Sequence, residues 1–497
     1  MARNELKIGT ALSMITIIAS SFIQILYTPL YMRYLGPGDY GINSLVQSIM
    51  GYISILNLGL GNAMLRYTVR YRAEGKIEEE NSLNGMFLVI YSILMSIAFI
   101  IGIYIYVNLG KFFGSRFSIE ELSKTKAVFL IMSLNIILSF PMGIFSTNIT
   151  SREKFLYQRG IKLITIVLNP IMGAILMING YGLIAVTVST VIFAILSYMF
   201  DIVYALKLGM KIKFSKFDNR ILREIFTYSF FIFLNVLIDQ IYWGTDRVII
   251  GRYVGVGGIA IYSVGAIFNT LYMGFASAVS GVLFPRINRL IVEEKHDEVN
   301  DMFLKIGRLQ YILLGLISSG FIIFGKDFIT LWVGKEYIEA YKIALWIMIP
   351  LTVPLIQSTG VSIMQAKNMH QFRSVVYFII AILNLVLSII FVKKVGAIGC
   401  AIATGLSFIL GQIIIMNIYY QVSVKLNMFK FWKSILKMSL PMILTMGFGY
   451  VLNMYLIEIN YFIFTLKVII YTSVYVGLLW ILGLNDYEKS QIYIWKK

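Results

Sequence analysis

One cysteine, two histidines and eight prolines are spread over 497 residues, and only 14% of the side chains are charged. Cys400 lies alone inside an apolar run, which excludes a disulfide framework and a thiolate metal cluster. His296 and His370 show no H-x-x-x-H spacing and have no cysteine beside them, so no metal-ligand set is legible and no catalytic constellation is expected. No cofactor motif is read either. The scarcity of charge excludes an ordinary soluble domain, because 58% of the residues are hydrophobic, 14% are aromatic and the mean hydropathy is +0.79.

What is present instead is a succession of long apolar runs. A hydrocarbon core of about 30 Å needs about 20 apolar residues per helix, and fourteen such runs can be drawn: 8–32, 39–62, 83–107, 125–145, 161–179, 181–204, 226–251, 259–284, 306–325, 341–364, 374–392, 397–419, 438–456 and 462–483. The sequence predicts an all-α integral membrane protein. The pair at 161–204 is separated only by Asn179–Gly182. The first run is too long for a signal-peptide core and no small-residue cleavage site follows it, so it is expected to stay as a helix.

The net charge of +18 invites a nucleic-acid reading, but the basic residues punctuate alternate loops rather than gather in one patch or tail. No nucleic-acid partner is expected. With the N-terminus taken as cytoplasmic, 30 of the 43 Lys and Arg fall in inner segments and 12 in outer ones, with Lys467 inside the last run. That asymmetry predicts cytoplasmic positions for both termini.

The phrase RYLGPGDYGINS at 33–44 returns as RYVGVGGIAIYS at 252–263, a shift of 219. The same shift aligns EGKIEEEN (Glu74–Asn81) with EEKHDEVN (Glu293–Asn300), and a shift near 214 aligns GLIAVTVST (Gly182–Thr190) with GAIGCAIAT (Gly396–Thr404). Three echoes in one order mark a duplication. The expected organisation is two pseudo-symmetric six-helix lobes, 1–210 and 211–425, with two appended helices and a tail over 426–497. An even number of helices gives both copies the same sense in the membrane, and such halves enclose a cavity. The Gly-rich phrase is expected to be the outer turn between the first two helices of each copy, with Gly36 and Gly38 supplying turn conformations.

Polar residues fall on helical faces inside these runs. Thr16, Ser20, Gln24, Tyr27 and Tyr31 share a face of the first run, Asn43, Gln47, Ser54 and Asn57 recur along the second, and Asn235, Asp239, Tyr242 and Asp246 share a face of the seventh. A carboxylate near mid-bilayer costs about 2.5–3.5 kcal/mol even on lenient scales, so these faces are expected to line water. Asp239, about 20 Å along its run, reads as a cavity carboxylate for a cation or proton, or as a partnered acid holding helices in register. Asp246 and Arg247 read as contacts for sugar hydroxyls or as residues bracketing the interface. Arg66 and Arg70, one turn apart, are either a pyrophosphate clasp or inner-face anchors.

Several features carry plainer expectations. Arg33, Arg252, Lys467 and Glu458 are expected to snorkel. Glu293, Glu294, Asp297 and Glu298 read as a solvated helix face. The segment GLGNA (Gly59–Ala63) follows no strand and is not a phosphate loop, and the sequon letters at Asn148 fall on the predicted cytoplasmic side.

The stretches TPLYMRYLGPGDYGINSLVQSI (Thr28–Ile49), LNLGLGNAMLRY (Leu56–Tyr67) and TDRVIIGRYVGVGGIAIYSVGAIF (Thr245–Phe268) resemble the polysaccharide-transport, or Wzx-type, flippases of the multidrug/oligosaccharidyl-lipid/polysaccharide exporter superfamily. The resemblance implies a multi-pass transporter of the bacterial inner membrane. It would move a polyprenyl-pyrophosphate-linked oligosaccharide by alternating access, and helices one, two, seven and eight would line the cavity. It implies membrane lipids as surroundings, polysaccharide-assembly proteins as partners and coupling to a proton or sodium gradient, for which Asp239 is the candidate. The rivals are a multidrug/cation antiporter of the same superfamily and a membrane polysaccharide polymerase or ligase. The latter is disfavoured because the longest outer break, 108–126, is short.

Overall fold

The computed structural model describes residues 2–214, 219–280, 284–367, 369–485 and 488–489. Among the described residues the chain is 90% helix with no strand. The first half contains α1 (Ala2–Ser54), α2 (Leu60–Ala73), α3 (Ile77–Phe113), α4 (Ile119–Ser151), α5 (Phe155–Ile178) and α6 (Gly182–Lys207). The second contains α7 (Asn219–Tyr253), α8 (Val256–Ser280), α9 (Phe284–Val292), α10 (His296–Trp332), α11 (Glu339–Ile356), α12 (Ser358–Ala366), α13 (His370–Val395), α14 (Ala397–Phe408) and α15 (Met416–Val422). The appended pair is α16 (Met428–Tyr455) and α17 (Tyr461–Leu478).

Among the described residues thirteen segments are long and apolar enough to cross a membrane, and the first of them, Ala19–Ala73, has 55 residues, the length of two crossings. The fold is thus the expected bundle of about fourteen spans. The doubtful pair resolves into α5 and α6, parted where Gly180 and Gly182 take φ of 77° each.

The turn at 33–38 is tighter than expected. Helix α1 runs through it and leaves helical geometry at Gly36, with φ 79° and ψ 176°. A side chain would strain that conformation, and Pro37 directly follows at a first-turn position where its missing N–H costs nothing. Gly38 is helical, so its proposed turn role is corrected. In the second copy Gly255, at φ 109°, breaks the chain between α7 and α8.

The second predicted run, 39–62, is also interrupted. Helix α1 ends at Ser54, a single 3-10 turn covers Ile55–Asn57, and Leu58 and Gly59 take φ of 54° and 68° before α2 begins. Helix α7 presses on this point: a Cβ at Gly59 would sit 2.4 Å from Cγ2 of Ile232.

The chain divides into two compact units, residues 1–260 and 261–497. In the first, α7 packs on α1 and α2, and α3 to α6 surround α1. In the second, α10 is the central post, packed by α11, α16 and α17. Tyr311 shares a hydrogen bond with Ser439 at 2.6 Å, and Tyr475 donates to the Ile312 carbonyl at 3.0 Å.

Candidate functional site

The polar residues of the first unit converge on the seam between α1, α2 and α7. Small residues let these helices approach. Gly51 and Gly244 both make room for the side chain of Gln240, and where α8 begins a Cβ at Gly41 would lie 2.2 Å from the Val256 carbonyl oxygen. Gln240 Nε2 donates to the Ser48 carbonyl at 3.0 Å. Tyr52 and Thr245 join through their hydroxyls. Arg247 donates to the Trp243 carbonyl at 3.3 Å and lies 3.5 Å from Ser48 Oγ.

Asp246 is 2% exposed and lies near Tyr52. Tyr242 is also buried. Asp246 and Arg247 stand against α1, beside Tyr52 and Ser48, so the seam holds an acid, a base and several hydroxyls among apolar helices. Asn43 is half-buried on the same segment of α1. The exposed polar residues are Gln24 and Gln47 on α1 and Asn235 and Asp239 on α7. Asp239 is about 30 Å from the start of α7 and about 21 Å from its end at 1.5 Å per residue.

Not every predicted residue shares this seam. Thr16 is buried and bonds back to the Leu12 carbonyl at 2.6 Å. Ser20 is half-buried. Tyr27 packs on α5, where a Cβ on Gly173 would meet its hydroxyl at 2.1 Å. Tyr27 and Tyr31 form an edge-to-face pair with ring centroids 5.9 Å apart, and Tyr31 in turn lies 5.4 Å from Tyr40.

At the far end of the seam Tyr67 donates to Glu224 at 2.8 Å, and the Arg66 guanidinium lies 5.3 Å from the Tyr228 ring centroid. Arg70, one turn further on, is bonded to Glu74 at 2.9 Å. Glu74 also accepts from Lys76 at 2.7 Å, and this lysine and Arg70 hold its carboxyl below the usual range.

Several plainer expectations are corrected by tertiary contacts. Arg252 does not merely snorkel, since it donates to the Lys111 carbonyl at 2.6 Å and to that of Phe112, capping the last turn of α3. Lys467 is 2% exposed and bonds Asp327 at 3.0 Å and Asn453 at 2.6 Å. Asn148 is buried, accepting from Arg152 at 3.1 Å and donating to Glu80 at 3.4 Å.

Sequence reasoning missed one buried charge cluster. Glu80 lies between Arg72 and Arg152, and Arg72 also donates to Ser151 at 3.1 Å. The repeat held a signal for it: a shift of 219 puts Val299 at the place of Glu80 and Ile291 at that of Arg72. Among the described residues no group of three or more His, Cys, Asp or Glu is placed to hold a metal.

A bundle of long apolar helices with a polar seam between them is the architecture of a multi-pass membrane protein. Known structures share its fold. "Lipid II flippase MurJ, inward closed conformation" matches with a TM-score of 0.75 at 22% identity over 95% of this chain and 98% of that one. An inward-facing multidrug resistance MATE family transporter matches with a TM-score of 0.64 at 13% identity, over 82% and 94%. The family profile described as "Polysaccharide biosynthesis protein" matches residues 6–291, and the chain belongs to that family. Among relatives, the "Putative O-antigen transporter" of Shigella flexneri is 23% identical over 78% of this chain and 91% of its own length. The "Probable low-salt glycan biosynthesis flippase Agl15" of Haloferax volcanii is 24% identical, over 42% of this chain and 44% of its own length. The chain thus spans less than half of that last relative.

Proposed function

We propose that this protein is a flippase that carries a polyprenyl-pyrophosphate-linked oligosaccharide across a bacterial inner membrane by alternating access, with no covalent chemistry. The observation that carries the reading is the polar seam of α1 and α7 in an otherwise apolar bundle. Gln24, Gln47, Asn235 and Asp239 are exposed on segments that would span hydrocarbon. Facing lipid they would each cost free energy, and facing a wet passage they would offer hydrogen bonds to sugar. Membership of a polysaccharide biosynthesis family and relatives named as O-antigen transporter and glycan flippase support the substrate class.

On this reading the repeat lobes 1–210 and 211–425 rock about a cavity, the termini are cytoplasmic, and Thr16, Ser20, Tyr27, Asn43, Tyr242, Asp246 and Arg247 add to its lining. Arg66 and Arg70 receive the pyrophosphate, for which Arg70 exchanges its bond to Glu74. Asp239 couples transport to a proton or sodium gradient, since one charge crossing the field gains about 2.3 kcal/mol per 100 mV. Polysaccharide-assembly proteins supply and remove the substrate.

The test is purified protein in vesicles carrying a fluorescent lipid-linked oligosaccharide, with a membrane-impermeant quencher reporting movement between leaflets. Faster movement with wild type, and loss of its gradient dependence in Asp239→Asn, is expected. Asp239→Asn transport that still follows the gradient would remove the coupling role. Efflux of a cationic drug with no movement of the glycolipid would transfer the protein to the multidrug exporters.

A further inference from the structure

Between α3 and α4 lies an apolar groove of about 70 Å³, lined by Phe99, Gly102, Ile103, Tyr106, Leu130 and Leu134 among others. Both helices are membrane-spanning by length and composition, so the groove opens toward hydrocarbon rather than water. It exists because Gly102 has no side chain: a Cβ there would meet nothing within 4 Å.

The repeat supplies an internal control. Helices α3 and α10 have 37 residues each and begin 219 positions apart, which puts Phe321 at the place of Gly102. That phenylalanine is packed against its own copy, with its ring 4.8 Å from Phe268 and 5.7 Å from Tyr341. The second copy therefore fills with protein what the first leaves open. A recess that no side chain fills lacks contacts on its open side, so an acyl chain lying in it recovers what Phe321 recovers in the second copy.

The groove also has a charged end. Toward the C-terminal end of α3, Tyr106 lies under the Lys126 ammonium, 5.8 Å from ring centroid to Nζ. A phenol and an ammonium at the mouth of a hydrocarbon slot match a lipid with an anionic headgroup. From Phe99 to Tyr106 the groove runs about 10 Å along α3 at 1.5 Å per residue, the reach of part of one acyl chain.

We infer that the α3–α4 groove is a binding site for an anionic phospholipid, whose acyl chain lies over Gly102 and whose headgroup meets Lys126 and Tyr106. The site is independent of the transport reading above, since it needs only a protein in a bilayer.

The test is native mass spectrometry of the full chain purified from mixed phosphatidylglycerol and phosphatidylcholine, with thermal unfolding in each lipid as a second readout. Wild type should retain a phosphatidylglycerol adduct that Gly102→Phe loses. The open space beside Gly102 means that this variant should fold, and its unfolding temperature should no longer rise on adding phosphatidylglycerol. Lys126→Ala should keep a lipid adduct but bind the two headgroups alike. Equal phosphatidylglycerol retention by wild type and a folded Gly102→Phe would overturn the site. Retention of undecaprenyl phosphate in preference to phosphatidylglycerol would overturn its assignment to a phospholipid.

Discussion

At the start of the third helix of each copy the backbone repeats itself closely: Lys76 precedes α3 with φ −85° and ψ 71°, and Lys295 precedes α10 with φ −84° and ψ 70°. One carboxylate ties each joint. Glu74 binds Arg70 and Lys76, and 219 residues on Glu293 binds Arg289 and Lys295, at 3.3 and 2.9 Å. The strands of chain that follow each sixth helix dock on equivalent asparagines, Lys213 N on the Asn81 carbonyl and Asn427 N on Asn300 Oδ1. A basic residue after the fourth span, Arg152 or Lys367, donates to a carbonyl near the end of the sixth, that of Leu208 or Val424. Joints are held in common because they set helix directions, and cations at helix C-termini serve any copy.

Buried charge is not held in common. The first copy hides Glu80 with Arg72 and Arg152 where the second has Val299, Ile291 and Lys367. The second copy hides charge along α10, where the first has Val89 and Asn108. There Arg308 bonds Glu488 at 2.5 and 2.7 Å and Ser434 at 2.7 Å, and Asp327 bonds Lys467. The two α10 sites are about 28 Å apart at 1.5 Å per residue, close to the thickness of the hydrocarbon core. They fasten the appended helices to α10 near both of its ends. Each copy thus places its buried ion pairs at a contact its twin does not make.

The largest effect is expected from breaking that asymmetry at α10. Lys467→Met leaves Asp327 unpaired beside Asn453 and should cost about 3–5 kcal/mol. Asp327→Asn with Lys467→Met, which restores the residue type of Asn108, should recover most of it. Thermal unfolding in detergent and proteolysis of the α16–α17 connection would measure both, and a double variant as unstable as the single one would refute the ion-pair account.

A somewhat smaller loss is expected at Glu80, whose partners are less buried. Glu80→Val strands two arginines and should lower stability by a few kcal/mol. Arg72→Ile with Glu80→Val transplants the second copy's pair and should regain a large part. If the transplant regains nothing, the two copies are not interchangeable at this joint.

The smallest effect concerns the shared clamps. The carboxyls of Glu74 and Glu293 are held below the ordinary value, chiefly by Lys76 and Lys295 and then by Arg70 and Arg289. A depressed carboxyl pKa stabilises above the unfolded value, about 4.3, and that stability is lost as pH falls through the depressed value. Amide exchange at residues 75–77 and 294–296 should therefore accelerate in parallel below about pH 4, and little should change between pH 6 and 8. Acceleration in one turn alone would break the equivalence.

Much of this was legible from residue order. Run length and hydropathy specify helices that cross a bilayer, because the hydrocarbon thickness fixes how many apolar residues each needs. The duplicated phrases located joints that recur with matching dihedrals at Lys76 and Lys295. The polar periodicity of α7 picked out Tyr242 and Asp246, which the fold buries. What periodicity misjudged was the neighbour. Tyr27 shares a helical face with Gln24 yet packs over Gly173, and Lys467 looked like a snorkelling end until Asp327 and Asn453 met it.

Residue order was enough to place the spans and the turns at Gly36 and Gly255, since these depend on local chain length and on φ angles that side chains resist, whereas the break at Gly59 lay hidden inside an apolar run. Which charges are paired and which space is open follows from helix packing alone. Partners such as Glu80 with Arg152, or Arg308 with Glu488, lie far apart along the chain, and a distance of a few ångströms between them exists only once the helices have packed.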